Sequence, residues 1–243
     1  MRIGVVGAGG RMGQMLVREI GGTEGCDLAG AARRTDDPEP LFDAADAVID
    51  FTVPAASARH AALAAERKKI LVVGTTGLSP EDEAGLKEAA RRTPIVYAPN
   101  MAVGVTLLTA LVEQVARTLG PDFDIEVLEM HHRHKVDAPS GTALGLGKAA
   151  AKGRQVSLDA VAAFARHGHT GSRMPGDIGF AALRGGDVIG DHTVVFAGEG
   201  ERIELTHKAS GRQIYARGAV RAALWAKDKP PGLYSMFDVL GLS

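Results

Sequence analysis

The amino-acid sequence predicts an α/β protein in two parts: a doubly wound parallel sheet domain, and an α+β domain with an open mixed sheet. Three observations carry that expectation. Short apolar runs alternate with helical stretches through the first hundred residues, the βα order that builds parallel sheets. The first run leads straight into a glycine-rich turn, Gly7-Ala8-Gly9-Gly10-Arg11-Met12-Gly13. After a long helix expected from Val103 to Leu119, the pattern shifts to period-two alternation, which suits a sheet with one solvated face. The boundaries expected are 1–102 with 212–243 for the first domain and 103–211 for the second.

Taken in order, Arg2–Val6 suits a buried parallel strand and Gln14–Ile20 an amphipathic helix. Cys26–Ala32 reads as the second strand and Ala47–Phe51 as the third, after which Pro54 opens an alanine-rich helix through Glu66. Ile70–Val73 is the fourth strand. Ser79-Pro80-Glu81-Asp82 then supplies an N-cap and a first-turn proline for the next helix. Ile95–Ala98 is the fifth strand. In the second part, Phe123–Val127, Ile178–Leu183, Thr193–Phe196 and Arg202–Thr206 read as strands, the last two joined as a hairpin through Gly198-Glu199-Gly200-Glu201. Ala143–Ala151 reads as a helix, and helical spacing returns from Arg212 to Lys227.

Strand, glycine turn and helix form the Rossmann-like context in which backbone approaches a pyrophosphate and a helix N-terminus receives its charge. The spacing is GxxGxxG, through Gly7, Gly10 and Gly13. Gly7, Ala8, Gly9, Gly10, Arg11 and Met12 are therefore candidate cofactor contacts. Ligands of such sheets sit beyond the carboxyl ends of strands. That adds Phe51-Thr52, Gly74-Thr75-Thr76-Gly77 and Ala98-Pro99-Asn100-Met101, although each also reads as ordinary turn chemistry. The second strand ends in Arg33-Arg34, where an NAD site usually places an acid for the ribose 2′-hydroxyl. A guanidinium pair suits a 2′-phosphate, so NADPH is the expected cofactor and NADH use stays open. The alternative is a pair of solvated loop charges, with Asp36 or Asp37 taking the ribose.

The densest chemistry lies at Glu129-Met130-His131-His132-Arg133-His134-Lys135-Val136-Asp137-Ala138-Pro139-Ser140-Gly141-Thr142. Cationic groups this close repel one another unless an anion sits among them. Imidazole can also give or take a proton near neutrality. Ser140-Gly141-Thr142 opens a helix, whose uncapped N–H groups and dipole favour negative charge. The segment thus reads as a pocket for an anionic, carboxylate-bearing small molecule with proton-transfer groups beside it. Zinc on His131, His132 and His134 is disfavoured by the interleaved Arg133 and Lys135, so no metal is expected. A solvated basic turn is the bland alternative.

A net charge of −1 argues against a general nucleic-acid binder. One cysteine excludes an internal disulfide framework, and no apolar run is long enough to span a bilayer. The first strand begins at once, leaving no room for a signal peptide, so a cytoplasmic location is expected.

Several stretches together resemble the dihydrodipicolinate reductase family. They are the Gly7–Gly13 turn, Asp50-Phe51-Thr52, Gly74-Thr75-Thr76-Gly77, Pro99-Asn100-Met101, Glu129 to Thr142, Arg166-His167-Gly168-His169-Thr170-Gly171, and the run from Gly190-Asp191-His192-Thr193 to Thr206-His207-Lys208-Ala209. The likeness runs in order over essentially the whole chain. It implies hydride transfer from NAD(P)H to C4 of a cyclic imine dicarboxylate, in lysine and diaminopimelate biosynthesis, by a homotetramer. It also implies that His131 is a proton donor or acceptor and Lys135 a proton donor. His132, Gly141 and Thr142 would bind substrate, and Gly7 to Met12, Gly74 to Thr76 and Ala98 to Met101 would line the cofactor. Two departures matter: Arg33 stands where members preferring NADH carry an acid, and the Thr35–Pro40 segment is shorter than in longer members. A non-catalytic NADPH-binding regulator on the same fold is the alternative. Intact His131, His132 and Lys135 speak against it, and a hydrolase using the histidines to hold metal is a third reading.

Overall fold

Runs of consecutive Val, Ile and Ala leave a strand no solvated face. In the computed structural model, which describes residues 1–242, they form the interior of a six-stranded parallel sheet. The first elements are β1 (Arg2–Val6), α1 (Arg11–Gly22), β2 (Asp27–Ala32), α2 (Glu39–Ala44), β3 (Ala47–Asp50), α3 (Pro54–Arg67), β4 (Ile70–Val73), α4 (Pro80–Ala89) and β5 (Pro94–Tyr97). Next come α5 (Val103–Leu119), β6 (Asp124–His131), α6 (Gly141–Gly153), α7 (Leu158–Val161) and β7 (Ala162–Ala163). The chain continues through β8 (Ile178–Arg184), β9 (Gly190–Gly198), β10 (Glu201–Ala209), α8 (Gln213–Ala226), β11 (Gly232–Tyr234) and α9 (Met236–Leu240). Two compact units result: Met1–Val103 with the chain from Arg212 onward, and Gly104–Gly211.

The first unit holds the parallel sheet, in the order β11-β5-β4-β3-β1-β2. Period two sorts its buried residues onto two faces. Ile3, Val5, Ile49, Val72 and Val96 pack with α1, α8 and α9, while Val6, Val48, Leu71, Val73 and Ile95 pack with α2, α3 and α4. Both helical layers end where the sequence gives stop or start signals. Ser79 and Asp82 form a reciprocal capping box for α4, and Lys68 leaves α3 in the left-handed conformation. Short α2, β11 and α9 were not expected. Both helices had local signals, Glu39 and Pro40 in the first turn of α2 and the Ser235–Asp238 capping box of α9.

The second unit holds a mixed sheet, ordered β10-β9-β6-β8-β7, in which β6 runs parallel to β8 and antiparallel to β9. One face, with Ile125, Val127, Ile178, Val194 and Phe196, packs on Leu108 and Val112 of α5 and on Ala143, Leu146 and Ala150 of α6. The opposite face leaves Leu128 and Leu183 exposed, while Ile203, opposite Phe196 in register, is exposed at the edge strand on the helix-covered face. β6 is longer than expected. Its inward alternation runs Ile125, Val127, Glu129, His131, so the apolar pattern passes into two polar residues without changing face.

Candidate active site

In the first unit, close backbone approaches shape the turn after β1. Gly7 has φ 78°, and a Cβ there would stand 2.8 Å from Thr52 Cγ2. A Cβ on Gly13 would overlap the backbone of Gly7 and Ala8, so glycine lets α1 seat against the strand end. Gly10 caps α1 with no side-chain hydrogen bond, which leaves the leading N–H groups of the helix without a built-in acceptor. Backbone donors at such a helix start are what a pyrophosphate can take. Arg33 lies alongside, its Cγ 3.9 Å from where a Gly9 Cβ would be. Asp36 Oδ2 accepts from the Arg33 N–H at 2.8 Å and Asp37 Oδ1 from the Glu39 N–H at 3.1 Å, so the turn itself occupies both acids. Arg34 is exposed.

A buried polar cluster holds the next two loops. Asp50 accepts on Oδ1 from the hydroxyls of Thr52 at 2.6 Å and Thr75 at 3.2 Å, and on Oδ2 from His60 Nδ1 at 2.9 Å. Thr75 Oγ1 in turn accepts from the Thr52 N–H and the Ser57 hydroxyl, each at 2.9 Å. The Phe51 ring covers Gly74 so closely that no side chain fits there, while Thr76 is exposed. Ala98 and Met101 are buried in the core, Pro99 is exposed, and Asn100 Oδ1 accepts from the Ala102 N–H at 2.9 Å.

In the second unit the basic segment folds around one carboxylate. Glu129, 1% exposed, uses Oε2 for His131 Nδ1 at 2.6 Å and Oε1 for the Ser140 N–H at 3.0 Å. Arg184, from β8, grips both oxygens, at 2.7 and 2.8 Å. Burial alone would raise the Glu129 carboxyl, but Arg184, His131 and the Ser140 N–H together outweigh it and hold it below the usual carboxylate range. With Nδ1 committed to Glu129, the free ring nitrogen of His131 is Nε2, and it lies over Gly190, where a Cβ would stand only 2.9 Å away. Lys135 Nζ pairs with Asp137 at 2.8 Å, and the ammonium lowers that carboxyl. His132 and His134 face each other with ring centroids 6.3 Å apart.

Ser140 corrects one expectation, that of an uncapped helix. It is the N-cap of α6, and its hydroxyl accepts from the Ala143 N–H at 3.1 Å. Gly141 begins the helix and Thr142 follows, in the turn whose N–H groups have no intrahelical acceptor. Three residues that sequence reasoning did not place complete the group: Glu129, Arg184 and His192. Ser140 Oγ contacts His192 Nε2 at 3.1 Å, and the His192 ring stands edge-on to His131 with centroids 5.1 Å apart. The only local signal for Glu129 was the alternation of β6. Among the described residues, no group of three or more His, Cys, Asp or Glu is arranged to hold a metal ion. Nor is any helix among those residues long and apolar enough to cross a membrane.

A parallel sheet with a glycine turn and free-ended helix after its first strand, and a sheet unit whose imidazole is held by a buried carboxylate, fit an oxidoreductase that binds a nicotinamide dinucleotide, the class to which its relatives belong. Family models for the N-terminus and the C-terminus of dihydrodipicolinate reductase match residues 1–101 and 104–240, and the chain belongs to that family. It is 56% identical to 4-hydroxy-tetrahydrodipicolinate reductase of Rhizobium rhizogenes, over all of this chain and 97% of that one. Its identity to the Brucella abortus enzyme of the same name is 54%, over the whole of both. Each alignment spans 267 positions, so these relatives carry segments that the 243 residues here lack. In structure the chain is similar to dipicolinate-bound dihydrodipicolinate reductase from Paenisporosarcina, with TM-score 0.81 at 23% identity over 98% of each chain.

Proposed function

We propose that this reductase converts dihydrodipicolinate, or its hydroxylated precursor with loss of water, to tetrahydrodipicolinate in the cytoplasmic synthesis of diaminopimelate and lysine. It uses NADPH in preference to NADH. The observation that carries this reading is the Glu129 carboxylate, which binds both the His131 imidazole and the start of α6. A proton-transfer group and a carboxylate-binding helix end are thereby held at a fixed spacing, as reduction of a cyclic dicarboxylate requires.

When bound, NADPH would supply the hydride for C4 of the ring. The electron density gained moves toward the ring nitrogen and C3, where a proton must arrive. Lys135 delivers that proton and stabilises the developing negative charge, while His131 relays through Nε2. The Gly141 and Thr142 backbone, with the Thr142 hydroxyl, takes one substrate carboxylate, and His132 binds the substrate from the loop. Gly7 to Met12 receive the pyrophosphate, and Gly74 to Thr76 and Ala98 to Met101 border the remainder of the cofactor. Arg33 and Arg34 take the 2′-phosphate, a reading supported by the engagement of Asp36 and Asp37 within their own turn. Residues 1–102 and 212–243 form the dinucleotide domain, and 103–211 bind substrate and assemble a homotetramer, which would cover the exposed Leu128 and Leu183.

The test is NADPH and NADH oxidation with freshly made dihydrodipicolinate synthase product. Turnover that needs the product and favours NADPH is expected. Absence of turnover with either cofactor overturns the reading.

A further inference from the structure

Four residues of the site form a closed ring of contacts, one of them through the Ser140 backbone N–H. Glu129 joins His131 to Ser140 through its two carboxylate oxygens. His192 joins the same two residues from the other side, with Nε2 on the Ser140 hydroxyl and its ring edge-on to His131. His192 comes from β9, in register opposite Glu129 on β6, and is 4% exposed. Glu129 and His131 would already be linked to Ser140 without it, so a second bridge is redundant for a loop that only had to fold.

The roles of the atoms follow from the hydroxyl. Ser140 Oγ accepts from the Ala143 N–H, and its single hydrogen finds an acceptor in His192 Nε2. With the hydroxyl assigned as the donor, neutral His192 carries its proton on Nδ1. The ionisable groups around it are His131 and Glu129 on β6, His207 on β10 and Lys135 in the loop. Burial, and then the charge of His131, push the His192 imidazole down to about 4, against an opposing pull from Glu129. It therefore stays an acceptor across the working range of pH. Its Nδ1 is buried with no partner, a cost that a site for packing alone would shed by carrying an apolar residue.

We propose that His192 is a positioning residue for the reduction: it fixes the spacing and orientation of the His131 ring relative to the carboxylate-binding start of α6. The inference rests on the proposed function of that site. It predicts two separable effects, because one contact orients Ser140 and the other orients His131.

The experiment compares His192→Leu, which loses both contacts, with His192→Gln, whose side-chain oxygen can replace Nε2 as the acceptor. The readouts are Kd for pyridine-2,6-dicarboxylate, Kd for NADPH, KM and kcat for the ring substrate, and kcat against pH. His192→Leu should weaken dicarboxylate binding about tenfold, the loss expected of one buried hydrogen bond. Its kcat should fall by a similar factor, and the acidic limb of its pH profile should shift. NADPH affinity should stay within about twofold of wild type. His192→Gln should recover dicarboxylate affinity but not kcat. Wild-type values in His192→Leu, or equal losses of both ligands in both variants, would overturn the assignment. Should His192→Leu not fold, His192→Gln and Ser140→Ala carry the test, since Ser140→Ala must show the affinity loss that His192→Gln lacks. If wild type binds the dicarboxylate yet turns over no substrate, the proposed reaction fails while the binding comparison still decides the role of His192.

Discussion

Replacing Glu129 by Gln keeps the shape of the side chain and removes its charge. The carboxylate receives two donors on each oxygen: His131 Nδ1 and Arg184 Nη1 on Oε2, the Ser140 N–H and Arg184 Nη2 on Oε1. Either orientation of the glutamine amide therefore sets its NH2 against two donors. Two charge-assisted hydrogen bonds are lost, each contributing roughly 1.5–3 kcal/mol, and Arg184 is left without its counter-charge. Removing one partner of a buried pair costs about 3–5 kcal/mol. The Arg184 side chain is 21% exposed, so water recovers part of that, and a loss near the lower end, about 3 kcal/mol, is expected.

Denaturation followed by far-ultraviolet circular dichroism measures this, with the pH dependence as the sharper arm. The folded Glu129 carboxyl lies below its ordinary value, so its stabilisation is complete above the unfolded pKa, about 4.3, and is lost as pH falls through the lower folded value. The gap between wild type and Glu129→Gln should thus be full at neutral pH and shrink below about pH 4. A gap under about 1 kcal/mol at neutral pH, or one independent of acid, would refute the reasoning.

Four further outcomes are expected. Lys135→Ala should lower kcat by about a hundredfold to ten-thousandfold with little change in NADPH affinity, and His131→Ala should be less severe; steady-state kinetics with both variants checks this. Arg33→Glu should move kcat/KM toward NADH by on the order of tenfold or more at low salt, and an unchanged ratio would make the arginines solvated charges only. Thr75→Val removes the hydroxyl that receives the Thr52 N–H and Ser57, so NADPH Kd should rise several-fold and Thr75→Ser should restore it in a fluorescence titration. Because His192 is held neutral by burial, wild-type stability should fall as pH drops from about 6.5 toward 4, and His192→Leu should flatten that slope in thermal melts.

The parallel sheet was legible because its signals are local. Arg2–Val6 and Ile70–Val73 became strands over those residues, and the Ser79–Asp82 capping pair began a helix where it was expected. The glycine turn was legible too, since only glycine fits where Gly7 and Gly13 meet other backbone. The centre of the second unit was less so. Glu129 and His131 belong to the segment expected to form an anion pocket, but the strand was expected to stop at Val127, because a carboxylate on the inward face breaks the apolar pattern that marks such a face. Arg184 and His192 lie 55 and 52 residues from the partners they hold, and no spacing in the chain announces them. Their contacts come from the pairing of β6 with β8 and β9.

That pairing explains why the same residues serve folding and chemistry to different degrees. A one-residue slip of β6 would exchange its faces, burying Glu126, which on the outer face holds Arg166 and Arg173, and stranding Glu129 away from Arg184. Each face of the strand thus has its own carboxylate, the outer with two arginines and the inner with one, and charge fixes the register alongside apolar burial. Glu129 therefore cannot lose activity without losing stability. Lys135 is the opposite case. The carboxylate it pairs with, Asp137, is 55% exposed, and such a pair contributes about 0–1 kcal/mol to folding. On the proposed mechanism, removing Lys135 should cost the fold little and the reaction much, as befits a proton donor, whereas a residue that holds other residues in place must cost both.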